Sequence, residues 1–163
     1  MQMHTTSFWL TRPEPFVESL GAPRPEVVEA LRGAGVALEA VATLALMCEP
    51  SDVNRTLGDG AEGAGGIPAG RNPHEGRTGG FDPTLFLFDA VPGGVGLAER
   101  IYERADELVG RARDLIATCP CDEGCPACIG PGEARGRKKL AVTLLGRLDE
   151  LDSGTRMKLD ASL

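Results

Sequence analysis

An α+β fold is the class this sequence predicts, with a small β-sheet packed against three main helices. Stretches with apolar residues at helical spacing lie on either side of one strand-like run, Thr84-Leu85-Phe86-Leu87-Phe88-Asp89, which is apolar on both faces. Only 4% of the residues are aromatic, so Leu, Val, Ile and Ala must supply most of the core, which argues against a large β-sandwich. At 163 residues and 42% hydrophobic, the chain can bury the core of one domain, set at 1–151, without disulfide staples. Residues 152–163 read as a flexible tail.

The opening run from Met3 to Leu10 favours a strand and ends at Thr11-Arg12-Pro13, a turn signal. From Pro25 to about Met47, residues Val27, Val28, Leu31, Ala34, Leu38, Val41, Ala42 and Ala45 recur at helical spacing, with Pro25 suited to a first turn. Leu44, Leu46 and Met47 widen the apolar surface of the last turns, so that end is expected to be covered on several sides. Residues 58–80 are glycine-rich, lack apolar periodicity and read as a mobile loop. Before that loop, Ser51 to Leu57 can pair with the run at 84–89, whose two apolar faces place it centrally in the sheet. A glycine turn, Pro92-Gly93-Gly94-Val95-Gly96, then leads into a helix expected to run from 94 to 118, and Leu140, Ala141, Leu144, Leu145, Leu148 and Leu151 mark a last helix at 136–151.

A net charge of −7 excludes a uniformly basic nucleic-acid coat but not a local basic patch. No apolar stretch is long enough to span a bilayer and no signal-peptide pattern is present, so no membrane partner is expected and the cytoplasm is the predicted location.

The cysteines carry the chemistry. Four of the five, Cys119, Cys121, Cys125 and Cys128, fall in one C-x-C-x3-C-x2-C segment. An odd count and tight clustering suit metal binding better than a secreted disulfide scaffold. In an extended stretch Cys119 and Cys121 point to one side, Gly124 lets the chain reverse, and Cys125 and Cys128 close a knuckle. Four thiolates satisfy a tetrahedral zinc ion and leave no open position, which makes the zinc structural rather than catalytic. The knuckle falls between the last two helices. Disulfides, a redox dithiol and an iron-sulfur cluster are the alternatives, with iron-sulfur the main competitor. Cys48, at the end of an apolar helix, reads as a small buried side chain.

Other motifs are weaker. The glycine turn has the strand-to-helix geometry that can receive a phosphate, but no G-x-x-x-x-G-K-[ST] occurs, and tight packing explains the glycines better. Arg135, Arg137, Lys138 and Lys139 form the one dense basic run and are the candidates for nucleic-acid contact, against a solvated helix face as the commoner reading. Asp89, Glu99 and Glu103 alternate with Arg100 and Arg104, as on a solvated helix surface, and neither His4 nor His74 sits in a nucleophile pattern. No catalytic constellation is evident.

The segments Leu85 to Glu99 and Cys119 to Pro131 resemble the strand, glycine turn and helix, and the four-cysteine signature, of the zinc-binding (MZB) domain at the carboxyl end of MrfA-type DEAD/DEAH-box helicases. A looser similarity takes in Ala42 to Asp52 and Thr5 to Trp9. The resemblance implies an accessory role in DNA processing or repair beside an ATP-driven superfamily 2 motor, with zinc on the four cysteines. The motor would be a separate chain or the remainder of a longer one, because none of its motifs occurs here; DNA is a possible further partner. A redox or iron-sulfur module that senses oxidants or transfers electrons is the competing expectation.

Overall fold

The computed structural model describes residues 5–58, 81–133 and 135–146. Strand β1 (Ser7–Thr11) is followed by a short helix α1 (Glu14–Ser19) and the long helix α2 (Arg24–Leu46). A single 3-10 turn at Pro50–Asp52 leads into β2 (Val53–Gly58), and β3 (Thr84–Asp89) completes the sheet. Helices α3 (Leu97–Glu103), α4 (Ala105–Thr118) and α5 (Arg137–Leu144) follow. The proposed loop at 58–80 lies outside the described residues beyond Gly58, as do the tail at 152–163 and the end of the last predicted helix. No helix of the described residues is long and apolar enough to cross a membrane.

The sheet is antiparallel with strand order β1-β3-β2, so the run apolar on both faces is central, as expected. The register aligns Phe8 with Leu87 and Leu10 with Leu85, a row of side chains with no more than 1% exposure. The alternate positions carry Trp9 and Phe86, whose rings lie 6.0 Å apart on the other face. On the inner face, Arg55 of β2 reaches Glu39 of α2 at 2.8 Å.

Helix α2 is the axis of the molecule. Pro25 fits its first turn, and Ala30, Leu31, Ala34, Ala37, Leu38 and Ala42 are fully buried. Two glycines inside it cost helix propensity but permit close approach on two sides. A Cβ at Gly33 would stand 2.9 Å from Ile129 Cβ, in the cysteine loop, and one at Gly35 would stand 2.7 Å from Leu85 Cδ1, in β3. The sheet and the cysteine loop are thus both seated on α2 at the points where it lacks side chains.

Two expectations are corrected. The late turns of α2 are not covered on several sides: Leu46 is buried, but Leu44 is 80% and Met47 93% exposed. Residues 42 and 46 share the inward face at i,i+4 spacing, whereas 44 and 47 share the opposite one at i,i+3. The helix expected at 94–118 is two helices. The first begins only at Leu97, because Gly94 and Gly96 hold φ of +74° and +86°, and the break falls at Arg104, with φ −110° and ψ 19°. Arg104 grips Glu107 with two 2.9 Å bonds and donates to the Ala45 carbonyl at 3.0 Å, tying the break to the end of α2. The short helix α1, preceded by Pro13 and only six residues long, had no apolar periodicity to announce it.

Helix α5 packs on both α2 and α4. Its far end is held by fully buried Arg12, which follows β1 and donates from Nε to the Leu144 carbonyl at 2.6 Å. Burial brings that guanidinium down to about 10, so it stays charged at neutral pH.

Candidate metal centre

The cysteine loop begins where α4 ends. Cys119 adopts an extended backbone, with φ −61° and ψ 132°, and stops the helix. Gly124 then reverses the chain at φ +109°, a conformation open to glycine; a Cβ there would also fall 2.1 Å from Ile129 Cδ1. Cys125 and Cys128 close a tight turn in which the N–H groups of Cys128 and Ile129 both donate to the Cys125 carbonyl at 3.1 Å. Cys125 N–H donates to Cys128 Sγ at 3.3 Å. Ile129 plugs the turn into the core against Gly33.

All four sulfurs lie within 4.8 Å of one another. The Cys119–Cys125 and Cys121–Cys128 separations are 3.6 Å and the Cys125–Cys128 separation is 3.7 Å. A tetrahedron with zinc–sulfur bonds of about 2.3 Å has six edges of about 3.8 Å, and these three separations match it. A disulfide requires about 2.05 Å, and all five cysteines are free thiols. Hydrogen bonds from the backbone N–H groups of Cys128 and Ala127 bring the Cys125 thiol down to about 7, whereas burial pushes Cys128 up to about 12. Cys48 is half-buried beside the core, and burial raises its thiol as well. Among the described residues these four cysteines form the one group of His, Cys, Asp or Glu able to share an ion.

The basic run divides into two roles. Arg135 and Lys139 are exposed to solvent. Arg137 is 3% exposed and donates to the carbonyls of Pro131 and Gly130, each at 2.8 Å. Lys138 Nζ donates to the carbonyls of Cys119 and Cys121 at 2.7 and 2.5 Å. Two of the four candidates for nucleic-acid contact therefore face the cysteine loop. Glu123 of that loop in turn accepts the Gly136 N–H at 2.7 Å, at the start of α5. The spacing of the basic run revealed none of this, although its closeness to the last cysteine was a usable signal.

The glycine turn also has a resolved role. Asp89 is fully buried at the end of β3, and its carboxylate accepts the N–H groups of Val95, Leu97 and Ala98 at 2.5, 3.2 and 2.8 Å. The position a phosphate would take at the head of α3 is filled by the protein's own acid. His4 and His74 lie outside the described residues.

A closed set of four thiols on a small α+β scaffold is the arrangement of a metal-binding accessory module. The profile of the MrfA Zn-binding domain, MZB, matches residues 34–129, and the chain belongs to that family. It is 32% identical over 129 residues to the ATP-dependent helicase YprA of Bacillus subtilis, an alignment covering 79% of this chain and 15% of the helicase. The crystal structure of the DUF1998 helicase MrfA bound to DNA superposes with a TM-score of 0.60 at 30% identity, over 76% of this chain and 15% of that one. The MrfA structure bound to DNA and AMPPNP gives 0.54 at 27% identity, over 85% and 15%. The chain thus spans about 15% of the length of these helicases.

Proposed function

We propose that this chain is a structural zinc module serving an MrfA-type, ATP-dependent superfamily 2 motor in DNA processing or repair. The observation that carries the reading is the cluster of four sulfurs within 4.8 Å of one another, three of their separations at the edge length of a zinc tetrahedron, in a chain of the zinc-binding family. Cys119, Cys121, Cys125 and Cys128 would each supply a thiolate, and a filled tetrahedron has no position for a reacting water. The module's contribution is then rigidity: the ion joins the end of α4 to the approach to α5, and both helices pack on α2. The motor and its DNA are drawn from the helicase relatives, whose structures include DNA. A reducing compartment, the cytoplasm, keeps such thiols available for metal. Of the basic run, Arg135 and Lys139, exposed beside the loop, are the two placed to approach a phosphate backbone.

Elemental analysis and an absorption spectrum of anaerobically purified protein test the metal. One zinc per chain in a colourless protein, lost in a Cys125→Ser, Cys128→Ser variant, is the expected result; iron with visible absorbance, or no metal at all, overturns it.

A further inference from the structure

The four cysteines and the ion they would hold carry a net double negative charge, and the loop that presents them has little secondary structure of its own. Helix α5 answers both needs. Its second residue, Lys138, places one ammonium on the carbonyls of Cys119 and Cys121. These are the two cysteines of the C-x-C half of the site, which the Cys125–Cys128 turn does not order. Its first residue, Arg137, spans the carbonyls of Gly130 and Pro131 just after the last cysteine. The guanidinium lies so close over the backbone that a Cβ at Gly132 would meet Nη1 at 2.1 Å. The link is reciprocal, because Glu123, between the second and third cysteines, accepts the Gly136 N–H at the start of the same helix.

We infer that Lys138, with Arg137, is a positioning residue for the metal: a cationic latch that holds Cys119 and Cys121 in ligating geometry and offsets the charge of the thiolates, so that metal affinity depends on the docking of α5. The inference rests on the zinc reading above. Groups that orient metal ligands from outside the coordination sphere commonly set affinity by about 10–100-fold, and Lys138 contacts two ligand residues at once.

The test is a zinc competition titration against a chromophoric chelator on the full 163-residue chain, with cobalt(II) spectra as a reporter of tetrahedral thiolate geometry. Lys138→Met is expected to bind zinc about 10–100-fold more weakly while its helix content is unchanged, and Lys138→Arg to recover most of that loss. Arg111→Gln, which removes an exposed cation on α4, is expected to stay within about threefold of wild type, as suits a screened surface charge. Zinc affinity of Lys138→Met within about threefold of wild type, or an equal loss in Arg111→Gln, overturns the latch while leaving the zinc module standing. A wild-type chain that takes up no zinc overturns both. Should Lys138→Met fail to fold, Lys138→Gln, whose amide can still reach one carbonyl, serves in its place: a partial loss supports the latch and an unchanged affinity overturns it.

Discussion

Asp89 illustrates how much of this fold one side chain holds. Its removal in Asp89→Ala strands two buried amides at the head of α3, those of Leu97 and Ala98, and the part-buried one of Val95, and an unsatisfied buried donor costs about 1–3 kcal/mol. A loss of about 3 kcal/mol or more is expected in urea unfolding, against about 1–2 kcal/mol for Asp89→Asn, which keeps an acceptor but not the charge. The glycines of α2 give a matched comparison. Gly33→Ala forces a methyl against Ile129 and should destabilise by about 1–3 kcal/mol from overpacking, less the ~1 kcal/mol that alanine adds to a helix. Gly110→Ala, in α4 with nothing within 4 Å of its Cβ position, should stabilise by up to about 1 kcal/mol. Equal effects at the two sites in thermal unfolding would contradict the close packing described for Gly33.

At the scale of elements, the ion and α5 should stand or fall together. Chelating the zinc is expected to speed amide hydrogen exchange across 119–130 and 137–144, with the amides of β1 and β3 remaining protected. Uniform loss of protection would mean that the ion supports the whole domain instead. Protons compete with zinc for the thiolates, so affinity rises with pH. Cys128, pushed up to about 12, exchanges its proton for metal throughout the accessible range, whereas Cys125, held at about 7, has largely given up its proton above that pH. A plot of log affinity against pH should therefore be steepest below about pH 7 and lose about one unit of slope above it. The elements were legible where apolar periodicity was strong: α2, β3 and its central place, and the knuckle with its four cysteines could be read directly. Other features depended on contacts between distant residues. The break at Arg104 is set by its bond to Ala45, and the inward turn of Arg137 and Lys138 is set by carbonyls 6–19 positions earlier in the chain. Composition reads both as ordinary charged helix surface. Apolar content alone does not reveal the exposure of Leu44 and Met47, which follows from the helix face on which each residue falls.

For the whole molecule, a net charge of −7 and the engagement of Arg137 and Lys138 within the fold leave Arg135 and Lys139 as the exposed cations of the one dense basic run. A duplex held by Arg135 and Lys139 makes two phosphate contacts, so binding of a short duplex followed by fluorescence anisotropy should be weak, with a log–log salt slope no steeper than about −2. It should vanish in Arg135→Gln, Lys139→Gln; a steeper slope would point to a basic surface elsewhere. Asp89 adds a consequence for ligand selection. A carboxylate attached to the adjoining strand sits beside the amides of the glycine turn at an effective concentration that a freely diffusing nucleotide must overcome. A turn with the outward form of a phosphate cradle is in this way filled from within, by the strand that leads into it.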